Sequence, residues 1–393
     1  MPPARSPIAP SSIARGATAV FTAGGRRGLL GSLLELYGAD AGLLANSGTA
    51  ALTLALRAAR ASGRDTAAFP AYCCYDLVTA AVGAGVRVLL YDVVPETLEP
   101  DESSLERVLD RGARVLVGAH LFGVPMSADR LRERCLESDV LFIEDAAQEA
   151  GSHVAGRRAG AFGSFTVLSF GRGKGLTGGS GGALLARDDH GTDLLRGIGD
   201  LSPGGRGAGD VATATALWVL GRPALFGLPR AIPGLHVGET VYRPPTEPTG
   251  ISAAAASIVR ANMRLLPGEV DARSRTATDL IAACPPDSSV RPVRPHRDDV
   301  EAGWLRLPVL IDDEVVASAA ATAGRLGIAS GYAKPLSEVE AVRPLLVDPA
   351  GTYPGASRLA TALFTLPTHG WLSERDRDAL ERWLGGLKRG ATG

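Results

Sequence analysis

Two periodicities run through the pattern of apolar and polar positions. Over residues 25–37, Leu29, Leu30, Leu33, Leu34 and Leu36 fall mostly on one helical face, which predicts a first amphipathic helix. A short apolar run at 42–45 turns at Asn46-Ser-Gly48 straight into an alanine- and leucine-rich helix that continues to about Ala61. Beyond it, runs rich in Val and Leu at 66–70, 86–92, 113–120 and 140–144 alternate with helical patterns at 75–84, 102–111 and 127–137. Two more apolar runs, 165–170 and 183–186, are bounded by turn residues and read as short buried strands. This alternation predicts an α/β fold with a mainly parallel sheet flanked by helices on both faces. Ligands in such sheets gather beyond the carboxyl ends of the strands. Tyr72, Glu144, Asp145 and Ser169 sit at or just past those ends and could converge on one crevice.

The pattern changes in the second half. Residues 203–248 shift to Gly, Pro and apolar positions, with a short helix expected over 211–220. Leu217, Trp218, Leu225 and Phe226 there need cover, and a partner subunit is the leading account, ahead of a membrane surface or a lid. A long helical pattern at 251–283 is interrupted at Pro267-Gly268. A strand at 304–311 and helices at 314–326 and 374–387 complete a smaller α+β unit. The organisation expected is a loose tail over 1–15, a large domain over 16–248 that includes the 203–248 connector, and a small domain over 249–393.

Composition narrows the function. With 393 residues, 45% apolar and 21% charged, the chain is an ordinary soluble one long enough for two domains. A net charge of -1 without a basic block gives no electrostatic case for nucleic acid. The start lacks the apolar core of a signal peptide, and the most apolar stretch, 211–235, is too broken by Pro and Arg to span a bilayer. Cys73, Cys74, Cys135 and Cys284 have no metal-ligand spacing, so no metal is expected and reduced thiols in the cytoplasm are the simplest account.

The candidate chemistry centres on residues 169–182. Of 41 basic residues only three are lysine, Lys174, Lys334 and Lys388, and Lys174 lies inside a glycine-rich turn between two strand-like runs. A chain that uses arginine elsewhere keeps a lysine where a primary amine able to form a Schiff base is needed, or as a solvated loop cation. The Ser47-Gly-Thr49 turn opening a helix offers free amides and the positive end of a dipole to a phosphate, or is a plain helix cap. Glu144 and Asp145 follow a buried strand directly, so one of them is expected to meet a fixed cation unless it caps the next helix or faces water. Lys334 is a rival amine without the upstream acids, and His369 could touch substrate or make a structural hydrogen bond. His236 reads as ordinary.

Taken together these pieces resemble the DegT/DnrJ-type sugar aminotransferases. The matching segments occur in the family's order: Asn46-Ser-Gly-Thr-Ala-Ala-Leu52, Pro70-Ala-Tyr-Cys-Cys74, Tyr91-Asp-Val-Val-Pro-Glu-Thr-Leu98, His120-Leu-Phe-Gly123, Ile143-Glu-Asp-Ala-Ala-Gln-Glu-Ala-Gly151 and residues 169–182, with a weaker echo at Leu366-Pro-Thr-His369. The resemblance implies pyridoxal-phosphate fold type I, with a large domain on a mainly parallel mixed sheet and a smaller C-terminal α+β domain. It implies pyridoxal 5'-phosphate as cofactor, held covalently by Lys174, with Asp145 on the ring nitrogen and Gln148 near the ring oxygen. Ser169, Gly48 and Thr49 would hold the phosphate. Cys74 occupies the position of the stacking residue, with Tyr72 or Tyr75 as substitutes.

The same resemblance implies a cytoplasmic homodimer with shared active sites that moves an amino group from glutamate or glutamine to a keto-sugar, one linked to a nucleotide. Alternatives are a keto-cyclitol acceptor, or a non-catalytic sensor or scaffold that binds the cofactor or a sugar. Lysine at 174, where related dehydratases carry histidine, speaks for transamination. Two departures stand out. The usual Gly-Glu-Gly-Gly reads Gly179-Ser-Gly-Gly182, which removes a carboxylate beside the lysine loop. The Asn of a cross-subunit phosphate motif is missing near 242–250, where Arg243 could substitute.

Overall fold

Five-residue apolar runs set the frame. A computed structural model describes residues 1–22, 24–222 and 241–387. The strands of the main sheet are β1 (Ala41–Ala45), β2 (Thr66–Pro70), β3 (Arg87–Tyr91), β4 (Val115–Ala119) and β5 (Leu141–Asp145). After the short β6 (His153–Val154) and β7 (Arg157–Arg158) come β8 (Phe165–Ser169) and β9 (Gly182–Ala186). Their order is β1-β9-β8-β5-β4-β2-β3. Every pairing from β3 to β8 is parallel, and β9 alone runs against its neighbours β8 and β1. The helices of this half are α1 (Pro10–Thr22), α2 (Arg26–Tyr37), α3 (Gly48–Ala61), α4 (Asp76–Ala84), α5 (Glu102–Asp110), α6 (Ala128–Glu137), α7 (Asp189–Ile198) and α8 (Ala208–Leu220).

Alternate strand residues serve opposite faces, as the period of two requires. Ala67, Phe69, Val115, Val117, Ile143 and Val167 pack with Leu52 and Leu56 of α3 and Leu77 and Val78 of α4. Ala68, Leu116 and Phe142 pack with Leu105 and Val108 of α5 and Leu131 of α6. Because both faces are covered, the strands are apolar throughout, which is why they read as unbroken runs.

The second half builds a four-stranded antiparallel sheet, from β10 (Val290–Pro292), β12 (Leu307–Ile311), β14 (Leu363–Leu366) and β13 (Ala329–Ser330) in that spatial order. The strand β11 (Val300–Glu301) joins the β6–β7 ribbon instead. The helical stretch after 251 divides into Ala253–Asn262 and Leu266–Ala283 around a 3-10 turn at Met263–Leu265. Pro267, expected to interrupt it, sits in the first turn of the second helix, where its missing N–H costs nothing. The strand expected from 304 begins at Leu307, and Trp304 before it has a φ of 45°. The last helix, Glu374–Gly386, starts with a Ser373/Asp376 capping box. Leu225, Phe226, His236 and Lys388 lie outside the described residues.

Residues 1–15, read from composition as a loose tail, are held in place. Ser6 Oγ donates to the carbonyl of Lys174 at 2.7 Å. The Arg5 guanidinium lies 3.3 Å from the centre of the Trp371 ring and pairs with Glu269 at 3.8 Å. The Pro2 carbonyl accepts from His369 Nε2 at 3.1 Å, and α1 begins already at Pro10. These contacts join residues far apart in sequence, so no local pattern announces them.

His369 is therefore structural, with a hydrogen bond to backbone rather than to substrate. Its Nδ1 has no partner, and burial lowers its pKa to about 4 from an ordinary 6.5. An unfolded His369 takes its proton near 6.5 and the folded one only near 4, so stability falls as pH drops through that window. At 1.36 kcal/mol per pKa unit the loss from this group is about 3 kcal/mol. His369→Gln, which keeps an N–H for Pro2, is expected to flatten that part of the profile, read from denaturant midpoints at pH 7 and pH 4.5.

Candidate active site

The carboxyl ends of β1, β2, β4, β5 and β8 and the start of the reversed β9 all meet at one edge of the sheet. There a cavity of about 640 Å³ opens, and its lining includes Gly48, Thr49, Cys74, Gln148, Ser169 and Lys174. Six of the seven residues singled out from sequence thus share one space. Asp145 lies outside the lining but close enough for its charge to interact with Lys174.

The junction of α3 with the sheet is tight because glycine makes it so. The Ser47 hydroxyl caps α3 by accepting from the Ala50 amide at 3.0 Å. The Gly48 and Thr49 amides have no acceptor within their own helix. A Cβ on Gly48 would lie 2.7 Å from the Ser169 Cβ, and one on Gly182 would lie 2.5 Å from the Gly48 nitrogen and the Ser47 carbonyl. Gly182→Ala therefore presses on backbone and is expected to lower stability by about 1–3 kcal/mol in denaturant melts. Gly31→Ala in α2, with nothing within 4 Å, should instead be neutral or stabilising.

The two adjacent acids differ in environment. Glu144 is fully buried. It accepts from His120 Nε2 at 2.8 Å and from the amides of Gly160, Phe162 and Gly163 at 2.6, 2.8 and 2.9 Å. Met126 N–H donates to His120 Nδ1, which fixes the proton on Nε2 and makes the ring a neutral donor. Burial pushes the Glu144 pKa upward, but the His120 and backbone hydrogen bonds win and hold it below the ordinary value. Asp145 has one backbone donor, Ala147 N at 3.0 Å. Burial raises its pKa against the opposing pull of Ala147 and the Lys174 ammonium. The fixed partner of Glu144 is thus a neutral histidine and a cluster of amides, while Lys174 acts on Asp145 through its charge alone.

The lysine loop is pinned by backbone. Gly178 N and Thr177 Oγ1 donate to the Phe170 carbonyl at 3.1 and 2.9 Å, and Asn262 Nδ2 donates to the Thr177 carbonyl at 3.1 Å. Ser180, the departure within the lysine loop, donates to Asp210 Oδ1 at 2.6 Å, and Ser252 donates to the other oxygen. A carboxylate therefore does stand beside the loop, supplied by α8.

Around the cavity the remaining candidates separate. Tyr72 is buried and outside the lining, its hydroxyl accepting from Tyr332 N at 2.9 Å. Tyr75 is also outside it. Of the three stacking candidates only Cys74 lines the cavity, and burial pushes its thiol up to about 12. Lys334 is exposed and off the cavity. Two residues before Lys334, Tyr332 does line it, stacked on Phe122 at 5.8 Å and accepting from Gln148 Nε2 at 2.7 Å. Arg172, Arg243, Arg306 and the N-terminal residues Pro3 and Ala4 complete much of the wall. Of these, sequence pointed only to Arg243. No group of His, Cys, Asp and Glu among the described residues could hold a metal, and no described helix is long and apolar enough to cross a membrane.

Comparison with known proteins agrees with this architecture. A sugar aminotransferase from Micromonospora echinospora superposes with a TM-score of 0.77 at 22% identity, covering 98% of this chain and 99% of that one. Among curated proteins, an L-glutamine:2-deoxy-scyllo-inosose aminotransferase of Streptomyces kanamyceticus is 31% identical over 144 residues, 37% of this chain and 34% of the relative. A dTDP-4-dehydro-2,3,6-trideoxy-D-glucose 4-aminotransferase of Saccharopolyspora spinosa is 31% identical over 143 residues, 36% of this chain and 37% of the relative. The chain thus spans little more than a third of the length of these curated relatives. The matched region carries the helix start, the paired acids and the lysine loop, and residues 29–220 match the model of the DegT/DnrJ/EryC1/StrS aminotransferase family.

Proposed function

We propose that the protein is a pyridoxal-phosphate-dependent aminotransferase that moves an amino group from glutamate or glutamine to a keto-sugar. One observation carries the reading: a lone cavity lysine shares its space with a glycine-opened helix start, while a half-buried carboxylate lies within reach of its charge. The residues fit the cofactor group by group. Ser169, Gly48 and Thr49 offer a hydroxyl and first-turn amides for a phosphate. Lys174 offers the amine for an aldehyde, and Asp145 the carboxylate for a ring nitrogen. Gln148, held between the Phe122 amide at 3.4 Å and the Tyr332 hydroxyl, is fixed to donate or accept at a ring oxygen. The thiol of Cys74 stays protonated, so it supplies packing rather than charge.

When bound, the cofactor supplies the electron sink that lets a carbon next to nitrogen lose its proton. The chain's own groups do the rest. Lys174, once its amine is free, takes the proton from the donor carbon and later delivers one to the acceptor carbon. Asp145 holds the proton at the ring nitrogen, and the low-dielectric surroundings that raise its own pKa strengthen that pairing. Borohydride reduction of the loaded protein followed by peptide mass spectrometry should find the cofactor on Lys174. Visible absorption that glutamate or glutamine discharges separates a transaminase from a protein that only binds the cofactor.

A nucleotide-linked acceptor is supported by the exposed Arg172 and Arg243 on the cavity wall, suited to phosphates, and by the sugar nucleotide named for one relative. A keto-cyclitol is the second reading, supported by the inosose named for another. Offering both acceptors to the donor-discharged protein distinguishes them. We place the protein in the cytoplasm as a homodimer. Four free cysteines support the compartment, and Leu217 and Trp218, only half-buried on α8, support the second copy.

A further inference from the structure

We propose that Arg306 is the residue that binds the carboxylate of the amino donor. The inference rests on the aminotransferase reading of the same cavity, and it names how one of the two substrates is held there.

Arg306 is half-buried, and its guanidinium stands apart from those of the other arginines that reach the interior. Arg158 reaches Glu149 at 3.3 Å, Arg273 reaches Glu269 at 3.6 Å, and Arg187 donates to the carbonyls of Tyr37, Gly160 and Gly163. The Arg306 guanidinium has no hydrogen bond and no ion pair among the described residues, and its Nε is enclosed without a partner. Its backbone is fixed, with the Arg306 amide donating to the Phe122 carbonyl at 3.1 Å. The side chain lines the cavity beside Phe122 and Tyr332. Burial lowers its pKa, and among the described residues the Tyr332 hydroxyl acts in the opposite direction. A guanidinium whose Nε is shut off from water without a partner weakens the fold, so its retention points to a ligand of opposite sign.

Position selects which anion. The amine that an amino acid gives up is bonded to the carbon that also carries the carboxylate, so that carboxylate must enter the enclosed space with it. A sugar nucleotide carries its phosphates away from the reacting carbon, and the exposed Arg172 and Arg243 are free to meet them. Arg306, half-buried beside the residues that fix Gln148, is placed for a planar two-oxygen anion, which its guanidinium can grip with two parallel hydrogen bonds.

Two probes on the pyridoxal-phosphate-loaded protein test this. Glutarate, a dicarboxylate without an amine, reports binding by calorimetry. Glutamate and 2-aminopropane, an amine without a carboxylate, report the discharge of visible absorption. Arg306→Gln should weaken glutarate about a hundredfold, raise the glutamate concentration for half-discharge by a similar factor, and leave 2-aminopropane unchanged. Arg306→Lys, which keeps the charge but not the fork, should fall between. Arg306→Gln should melt no lower than wild type, since no protein contact is lost; should it fail to fold, Arg306→Lys reads the same comparison. Unchanged glutarate and glutamate responses, an equal loss with 2-aminopropane, or a defect confined to the keto-sugar would overturn the assignment while leaving transamination intact. Conversely, Arg306-dependent glutarate binding in a protein that no amine discharges would keep the subsite and sink the aminotransferase reading.

Discussion

Lys174→Ala is expected to lose the visible absorption of the loaded protein, to leave no borohydride-trapped adduct, and to reduce turnover by roughly 10⁴-fold or more. The size follows from removing two functions with one atom, the covalent hold on the cofactor and the proton carrier, each of which alone is worth orders of magnitude. Stability should hardly change. The Lys174 ammonium has no ion pair among the described residues, and what fixes the loop is backbone: the Ser6 hydroxyl on the Lys174 carbonyl, Thr177 and Gly178 on Phe170, and Asn262 on Thr177. Alanine at 174 keeps every one of those contacts. Lys334→Ala is the matched control, because Lys334 is exposed and away from the cavity. A trapped adduct that persists in Lys174→Ala, or one that moves with Lys334, would remove the basis of the proposed chemistry.

What could be read in the sequence divides along a physical line. The parallel core was legible because strands buried on both faces must be apolar at every position, and each apolar run ended in residues that fold against a helix. The direction of β9 was not, since an apolar run of five is the same forwards or backwards; the glycine-rich turn carrying Lys174 decides it. The order of residues 1–15 and the helix α1 were missed for a related reason. The helix α1 buries Ser12, Gly16 and Ala19, and a Cβ on Gly16 would lie 2.5 Å from Ile258, so it packs by closeness rather than by large apolar side chains. A periodicity of Leu or Val never appears there.

The site shows the same division. Gly48, Thr49, Asp145, Ser169 and Lys174 stand on the strand-turn-helix pieces that local pattern reveals. Arg306 and Tyr332 come from the second sheet region, and only tertiary packing brings them to the cavity. For Tyr332 the right stretch drew attention for the wrong side chain. Lys334 stood out because lysine is rare in this chain, but the residue two positions earlier points inward. Asp210 gave no local signal at all, because nothing in α8 says that its carboxylate will stand beside Ser180.

Glu144 and Asp145 are neighbours in sequence, yet their neutral variants are expected to fail in opposite ways. Glu144→Gln should cost about 3–5 kcal/mol of folding stability, the usual range when one member of a buried, hydrogen-bonded set is removed. Two oxygens now serve four N–H donors, with His120 and Gly160 on one and Phe162 and Gly163 on the other. An amide nitrogen in place of either oxygen turns a donor against donors. Asp145→Asn meets only the Ala147 amide, and the asparagine carbonyl can still accept it. Since burial already disfavours the Asp145 charge, neutralising it should leave the denaturant midpoint unchanged or higher. The loss falls on chemistry instead: without a carboxylate to hold the proton at the ring nitrogen, turnover at saturating cofactor should drop roughly 10²–10³-fold. Urea melts and turnover measured on the same two variants decide the matter. Glu144→Gln carries the fold defect and Asp145→Asn the catalytic one; an exchange of the two phenotypes would mean that the cofactor's ring is met by Glu144, and that the buried amide cluster around it is part of the reaction rather than of the scaffold.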